Sequence, residues 1–194
     1  TFLSSQSAII EHFSQICLEH KNENSNAIFI FDGNCTREFL DYVKKEASEK
    51  LFTKYFIPAN FLKLAEFKND AIYFKGFNLF INLREANILI DSKKLSNAMD
   101  ASIAIFEKIR TETSFTIVTD GPNIACGVSN EEVAKVQPEV IRGTYSRLGA
   151  GDAFFAYFLS YKELNPSASL KESLHTANRK TENYLQNNDQ KIYK

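Results

Sequence analysis

The sequence has few cysteines, no long apolar run and almost no net charge, and each of these excludes a class of protein. Its 194 residues include three cysteines, which lie far apart without a C-x-x-C pair, so neither a disulfide framework nor a zinc site is indicated. No apolar stretch approaches the ~20 residues that span a bilayer. Residues 1–20 lack the basic start and apolar centre of a signal peptide. We therefore expect a cytoplasmic protein without a membrane partner.

Basic runs are also absent. The formal net charge is −1, and no Lys or Arg patch is interleaved with aromatic residues, so we expect no nucleic-acid partner. Three histidines, His12, His20 and His175, have no Cys, Asp or His at ligand spacing, and we interpret them as ordinary helix-face residues. The length and the 44% content of hydrophobic residues suit one domain over 1–194.

Short apolar runs alternate with amphipathic stretches along the chain. The continuous runs at 27–31, 77–81 and 115–119 predict strands buried on both faces. Residues 124–128 and 133–136 predict two short antiparallel strands. The amphipathic stretches predict helices at 4–20, 37–49, 95–109, 150–162 and 169–186. This alternation indicates an α/β fold, with a mainly parallel sheet and helices on both faces.

A glycine-rich bend, Gly149-Ala150-Gly151-Asp152, runs directly into one of these helices. Two glycines one residue apart allow the backbone to approach a ligand, and the helix start offers unpaired N–H groups and a positive dipole end, which together favour phosphate. An acid beside a phosphate cradle suggests that Asp152 acts on a neighbouring hydroxyl during phosphoryl transfer. The alternative is a plain helix start whose acid complements the dipole.

Two further polar groups follow predicted strands. Asn82 and Glu85 are three residues apart, so on the first turn of a helix both side chains lie on one side at the carboxyl end of a strand. The alternative is a capping pair, with Asn at the cap and Glu reaching back. Asp32-Gly33-Asn34 also follows a strand, and is either a ligand position or a plain turn.

The two motifs, in this order and some 65 residues apart, resemble those of the ribokinase-like (PfkB) sugar and nucleoside kinases. The family patterns are Asn-x-x-Glu-Ala and Asp-Thr-x-Gly-Ala-Gly-Asp-x-Phe. The resemblance implies that Asp152 is the catalytic base and that the N–H groups around 149–151 form the anion hole for the ATP phosphates. It also implies that Asn82 and Glu85 help to place Mg²⁺, through water.

The resemblance extends to the nucleotide. Thr119 and Gly121 match a Thr-x-Gly that borders the nucleotide in the family, and Asn178 is similar to a position that lines the adenine side. The family's second glycine falls on Ile124, and its Asp-Thr-x positions are occupied by Ser146-Arg147-Leu148.

The resemblance covers nearly the whole chain but only the C-terminal two-thirds of the family. It implies a three-layer ribokinase-like α/β fold whose N-terminal part and lid are missing. The implied function is ATP-dependent phosphorylation of a hydroxyl on a sugar or nucleoside, and the Asp-Gly-Asn at 32–34 is most similar to the version in pseudouridine kinases. The alternative is a degenerate non-catalytic domain that binds nucleotide or acts by association. A sheet cut from a larger one leaves an edge, through which we expect self-association.

Overall fold

The computed structural model describes residues 2–23, 27–47, 52–58, 61–90, 95–112, 114–139 and 148–192. The strands are β1 (Ala27–Asp32), β2 (Phe52–Ile57), β3 (Asn78–Asn82), β4 (Phe115–Thr119), β5 (Ala125–Ser129) and β6 (Val133–Val136). The helices are α1 (Phe2–Glu23), α2 (Arg37–Glu46), α3 (Phe61–Leu64), α4 (Leu83–Leu89), α5 (Ala98–Ile109), α6 (Ala150–Leu164) and α7 (Leu170–Ile192), and 3₁₀ turns occupy Ala65–Phe67 and Ala71–Phe74.

The strands form one mixed sheet in the order β1-β2-β3-β4-β5-β6. The first four are parallel, and β5 and β6 continue the sheet as antiparallel neighbours. In register, Asn82 at the end of β3 pairs with Thr119 at the end of β4. The predicted parallel sheet and the two short antiparallel strands are therefore confirmed, and the carboxyl ends of β3 and β4 lie side by side.

Helices cover the sheet on both faces and divide the core in two, which confirms the three-layer arrangement. One face packs against α1, α2, α4 and α5, through residues such as Phe13, Leu40 and Ile105. The opposite face packs against α6 and α7, where Phe158 and Leu174 are fully buried. On this face α6 lies over β2, β3 and β4, and α7 lies beside it over β5 and β6.

The expectation that β1 is buried on both faces is wrong. Ile28 is 39% exposed and Ile30 is 51% exposed, whereas Phe31 on the opposite face is buried. The reason is the placement of α6, whose Phe155 packs on Tyr55 of β2 and Phe80 of β3, with ring centroids 5.8 and 5.2 Å apart. In the part of the chain that the structure describes, no helix reaches the outer strand on this face.

Candidate functional site

A cavity of about 330 Å³ lies at the carboxyl ends of β3 and β4, beside the start of α6. The paired strand ends supply Asn82 and Thr119, the turn after β4 supplies Gly121, and α6 supplies Gly151. The remaining lining residues are Pro122, Ala125, Pro138, Glu139, Ala150, Phe154, Asn178, Thr181, Glu182 and Leu185. The structure therefore brings six predicted positions together, namely Asn82, Thr119, Gly121, Ala150, Gly151 and Asn178.

The start of α6 leaves its first N–H groups open. Gly149 is the N-cap residue, with φ 74° and ψ 5°, and no side chain caps the helix. The first helical hydrogen bond runs from the Ala153 N–H to the Gly149 carbonyl oxygen (2.8 Å). The N–H groups of residues 150–152 therefore have no intrahelical acceptor. The left-handed conformation explains why glycine stands at 149, because other residues adopt it only with strain.

Gly151 has no such conformational reason to be glycine. Its φ lies outside the left-handed region, and a Cβ built on it meets no atom within 4 Å. The space beside the residue is open, and the residue lines the cavity. Since glycine lowers the stability of a helix relative to alanine, the fold alone would favour a side chain here. The absence of a side chain at 151 is instead explained if a ligand approaches the backbone closely.

Asp152 follows Gly151 in the first turn of α6 and is exposed. Its side chain is not among those that line the cavity, because one further residue along a helix turns the side chain by ~100° away from Gly151. The predicted base thus stands next to the open N–H groups, at the rim.

Asn82 and Glu85 form a capping box at the start of α4. The Glu85 N–H donates to Asn82 Oδ1 (2.9 Å), and the Asn82 N–H donates to Glu85 Oε2 (2.9 Å). Burial raises the pKa of the Glu85 carboxyl, against the hydrogen bonds from Asn82, which lower it. Asn82 lines the cavity and Glu85 does not. The capping alternative therefore holds, and the role of the pair toward Mg²⁺ stays a prediction.

The turn after β4 holds Gly121 against the cavity. Gly121 has φ +56°, and the turn is closed by the Asn123 N–H to the Asp120 carbonyl oxygen (2.9 Å) and by Asn123 Nδ2 to Asp120 Oδ2 (2.9 Å). Ile124, which occupies the position of the family's second glycine, is 42% exposed and does not line the cavity. This departure therefore leaves the cavity open.

One face of α7 forms another wall of the cavity. Asn178, Thr181, Glu182 and Leu185 recur at the i, i+3, i+4, i+7 spacing of a single helix face. Of these four residues, the sequence identified only Asn178 as a site residue. The same periodicity extends to Glu182, but whether a helix face meets core or cavity depends on what packs opposite.

The Asp32-Gly33-Asn34 stretch is a tight turn. Asp32 Oδ1 accepts from the Asn34 N–H (2.8 Å), and Asp32 Oδ2 accepts from Asn34 Nδ2 (2.9 Å). None of these residues lines the cavity. Ser146 and Arg147, at the entry to the glycine bend, lie outside the described residues, and Leu148 is 86% exposed.

Solved structures of ribokinase-like kinases share this fold. A mutant of phosphofructokinase-2 from Escherichia coli superposes with a TM-score of 0.68 at 21% identity, over 95% of this chain and 60% of that chain. A carbohydrate kinase from Agrobacterium tumefaciens gives 0.59 at 20% identity, over 78% and 45%. Adenosine kinase from Trypanosoma brucei brucei gives 0.62 at 17% identity, over 82% and 51%. The chain has the ribokinase-like α/β fold and spans at most about 60% of the length of these three structures.

No protein-family model matches the sequence, and no curated protein sequence matches it. Among the described helices, none has the length and apolar character needed to cross a bilayer. The described residues also include no group of three or more His, Cys, Asp or Glu side chains that could hold a metal ion.

Proposed function

We propose that this chain, which has the fold of the ribokinase-like kinases, binds Mg-ATP in the cavity and carries the phosphoryl-transfer part of a sugar or nucleoside kinase. The observation that supports the proposal most directly is the open start of α6. Three uncapped N–H groups lie there, and two of them belong to Ala150 and Gly151, which line the same cavity as Asn82 and Thr119 at the carboxyl ends of β3 and β4. Phosphate favours such a helix end because the dipole places about half a positive charge there.

The rest of the cavity suits the nucleoside part of ATP. Apolar side chains of Ala125, Pro138, Phe154 and Leu185 line it and offer a surface for a base. Asn82 and Glu85 supply oxygen atoms, the ligand type that Mg²⁺ prefers. Asn82 Oδ1 and Glu85 Oε2 accept the capping hydrogen bonds and Glu85 does not line the cavity, so in this proposal the pair acts on Mg²⁺ through water. Bound Mg²⁺ would neutralise the charge of the phosphates.

Asp152 acts in this proposal as the general base at the rim. The acceptor hydroxyl oxygen bonds to the γ-phosphorus of ATP, the bond from that phosphorus to the bridging oxygen breaks, and ADP leaves. The hydroxyl proton passes to the Asp152 carboxylate. The open N–H groups of residues 150–152 stabilise the charge on the transferring group.

The acceptor class is proposed from similarity. The similar structures include kinases of a sugar phosphate, of carbohydrates and of adenosine. Within this range we propose a sugar or nucleoside, with pseudouridine as the first acceptor to assay because of the Asp-Gly-Asn turn at 32–34.

The test is Asp152→Asn, with ATP affinity measured by calorimetry and turnover measured with pseudouridine, adenosine, ribose and fructose 6-phosphate. We expect turnover to fall by about 10² to 10⁴ while the dissociation constant of Mg-ATP changes little. Glu163→Gln is the matched control, since it removes an exposed acid at the other end of α6. Unchanged turnover in Asp152→Asn, or an equal loss of affinity, contradicts the role of Asp152.

A second candidate is a non-catalytic nucleotide-binding domain. It is favoured by the position of Asp152 outside the cavity lining and by the use of Glu85 in a helix cap. ATP binding without turnover on any of the four acceptors would select it over the kinase.

A further inference from the structure

One carboxylate oxygen joins two sides of the cavity. Glu182 Oε1, on α7, accepts a hydrogen bond from the Glu139 N–H (2.7 Å), in the segment after β6. The same oxygen accepts from Asn178 Nδ2 (2.7 Å), one turn earlier on α7. All three residues line the cavity. Glu182 therefore ties the segment after β6 to α7 in the wall of the cavity.

This bridge does not explain why residue 182 is a glutamate. Both partners of Oε1 are N–H donors, and the amide oxygen of a glutamine could also accept from both of them. The second oxygen, Oε2, accepts no hydrogen bond from the described residues. A second carboxylate, that of Glu139, also lines this end of the cavity. The wall thus carries acceptors and negative charge, which disfavour phosphate and favour a hydrogen-bond donor.

We propose that Glu182 selects the nucleobase, by accepting an N–H from its edge through Oε2. The proposal rests on nucleotide binding in the cavity, as argued above. With the phosphates at the start of α6, the base in this proposal packs between Phe154 of α6 and Leu185 of α7, which both line the cavity. Adenine presents its 6-amino group as such a donor, and a purine without the amino group presents none. Glu182 is then a specificity-determining residue.

The experiment compares Mg-ATP with the Mg complex of purine riboside triphosphate, which lacks only the 6-amino group. A hydrogen bond to a charged acceptor predicts that the unmodified chain binds ATP about 10- to 100-fold more tightly. In Glu182→Gln the side-chain oxygen must stay with the two N–H donors, so an NH₂ group replaces Oε2. We expect the two triphosphates then to bind within about twofold of each other.

Two further variants distinguish selection of the nucleobase by Glu182 from its structural role in the bridge. Glu182→Ala removes the bridge and should weaken the binding of both triphosphates, whereas Glu107→Gln removes an exposed acid of α5 and should leave the preference unchanged. Thermal melting checks that each variant is folded. Equal binding of the two triphosphates by the unmodified chain, or a preference that survives in Glu182→Gln, overturns this inference alone. No binding of ATP overturns the proposed function as well.

Discussion

The two glycines of the bend should respond to alanine in opposite ways. At Gly151 the added methyl group meets no atom within 4 Å and the backbone is not left-handed. Alanine is favoured over glycine in a helix interior by about 0.5–1 kcal/mol, and by less in the first turn. We therefore expect Gly151→Ala to leave the free energy of unfolding unchanged or to raise it by up to about 0.5 kcal/mol.

The same methyl group should reduce ATP affinity. It occupies the space through which a phosphate would reach the N–H groups of residues 150–152. We expect the dissociation constant of Mg-ATP to rise at least tenfold, which corresponds to about 1.4 kcal/mol, and Gly151→Val to block the site. An unchanged or raised free energy of unfolding together with a lower affinity for Mg-ATP would indicate that the glycine serves binding.

Gly149→Ala is the matched comparison. Here φ is +74°, and the left-handed conformation costs a non-glycine residue about 1–2 kcal/mol. The added Cβ would lie 3.6 Å from Tyr184 Oη, which is an ordinary contact. The cost of the left-handed backbone therefore accounts for most of the expected loss in the free energy of unfolding. For a chain of this size the cost corresponds to a fall in Tm of roughly 2–8 °C.

Thermal melting and calorimetric titration of Gly151→Ala, Gly151→Val and Gly149→Ala test these expectations. If Gly151→Ala and Gly151→Val keep the ATP affinity of the unmodified chain, the start of α6 does not receive phosphate. If Gly151→Ala lowers Tm as much as Gly149→Ala does, the distinction between a conformational and a functional glycine is wrong.

Two other predictions concern stability and association. Glu85→Gln should raise Tm at pH 7 and raise it less at pH 4. Burial raises the pKa of Glu85, so the unmodified chain loses stability as pH rises through that pKa, whereas an uncharged glutamine keeps the capping bond at both pH values. An equal rise in Tm at both pH values would contradict this. Self-association through β1 should appear in light scattering, because its outer edge is unpaired in the described chain and antiparallel pairing with a second copy would set Ile28 beside Ile30. Ile30→Lys should then give monomers. The control Ile72→Lys changes an exposed isoleucine elsewhere and should leave the association intact. A monomeric unmodified chain would exclude the contact.

Local chemistry allowed the sequence to predict the elements and the core of the site. Apolar runs and helical periodicity identified β1, β3 and β4, three of the four parallel strands, and the long helices that cover the sheet, because backbone geometry repeats every two or 3.6 residues. They did not identify β2. The glycine bend was recognised as a helix start because conformational freedom at Gly149 and Gly151 is a property of those residues themselves. The capping box of Asn82 and Glu85 is likewise complete within four residues.

Tertiary structure decided what depends on distant partners. The bridge from Glu139 to Glu182 joins residues 43 positions apart, so no local pattern contains it. Ile28 and Ile30 look like core residues, and only the placement of α6 over β2 and β3 leaves them exposed. A sequence determines which face of an element is apolar, whereas packing determines whether that face meets a helix, a cavity or solvent.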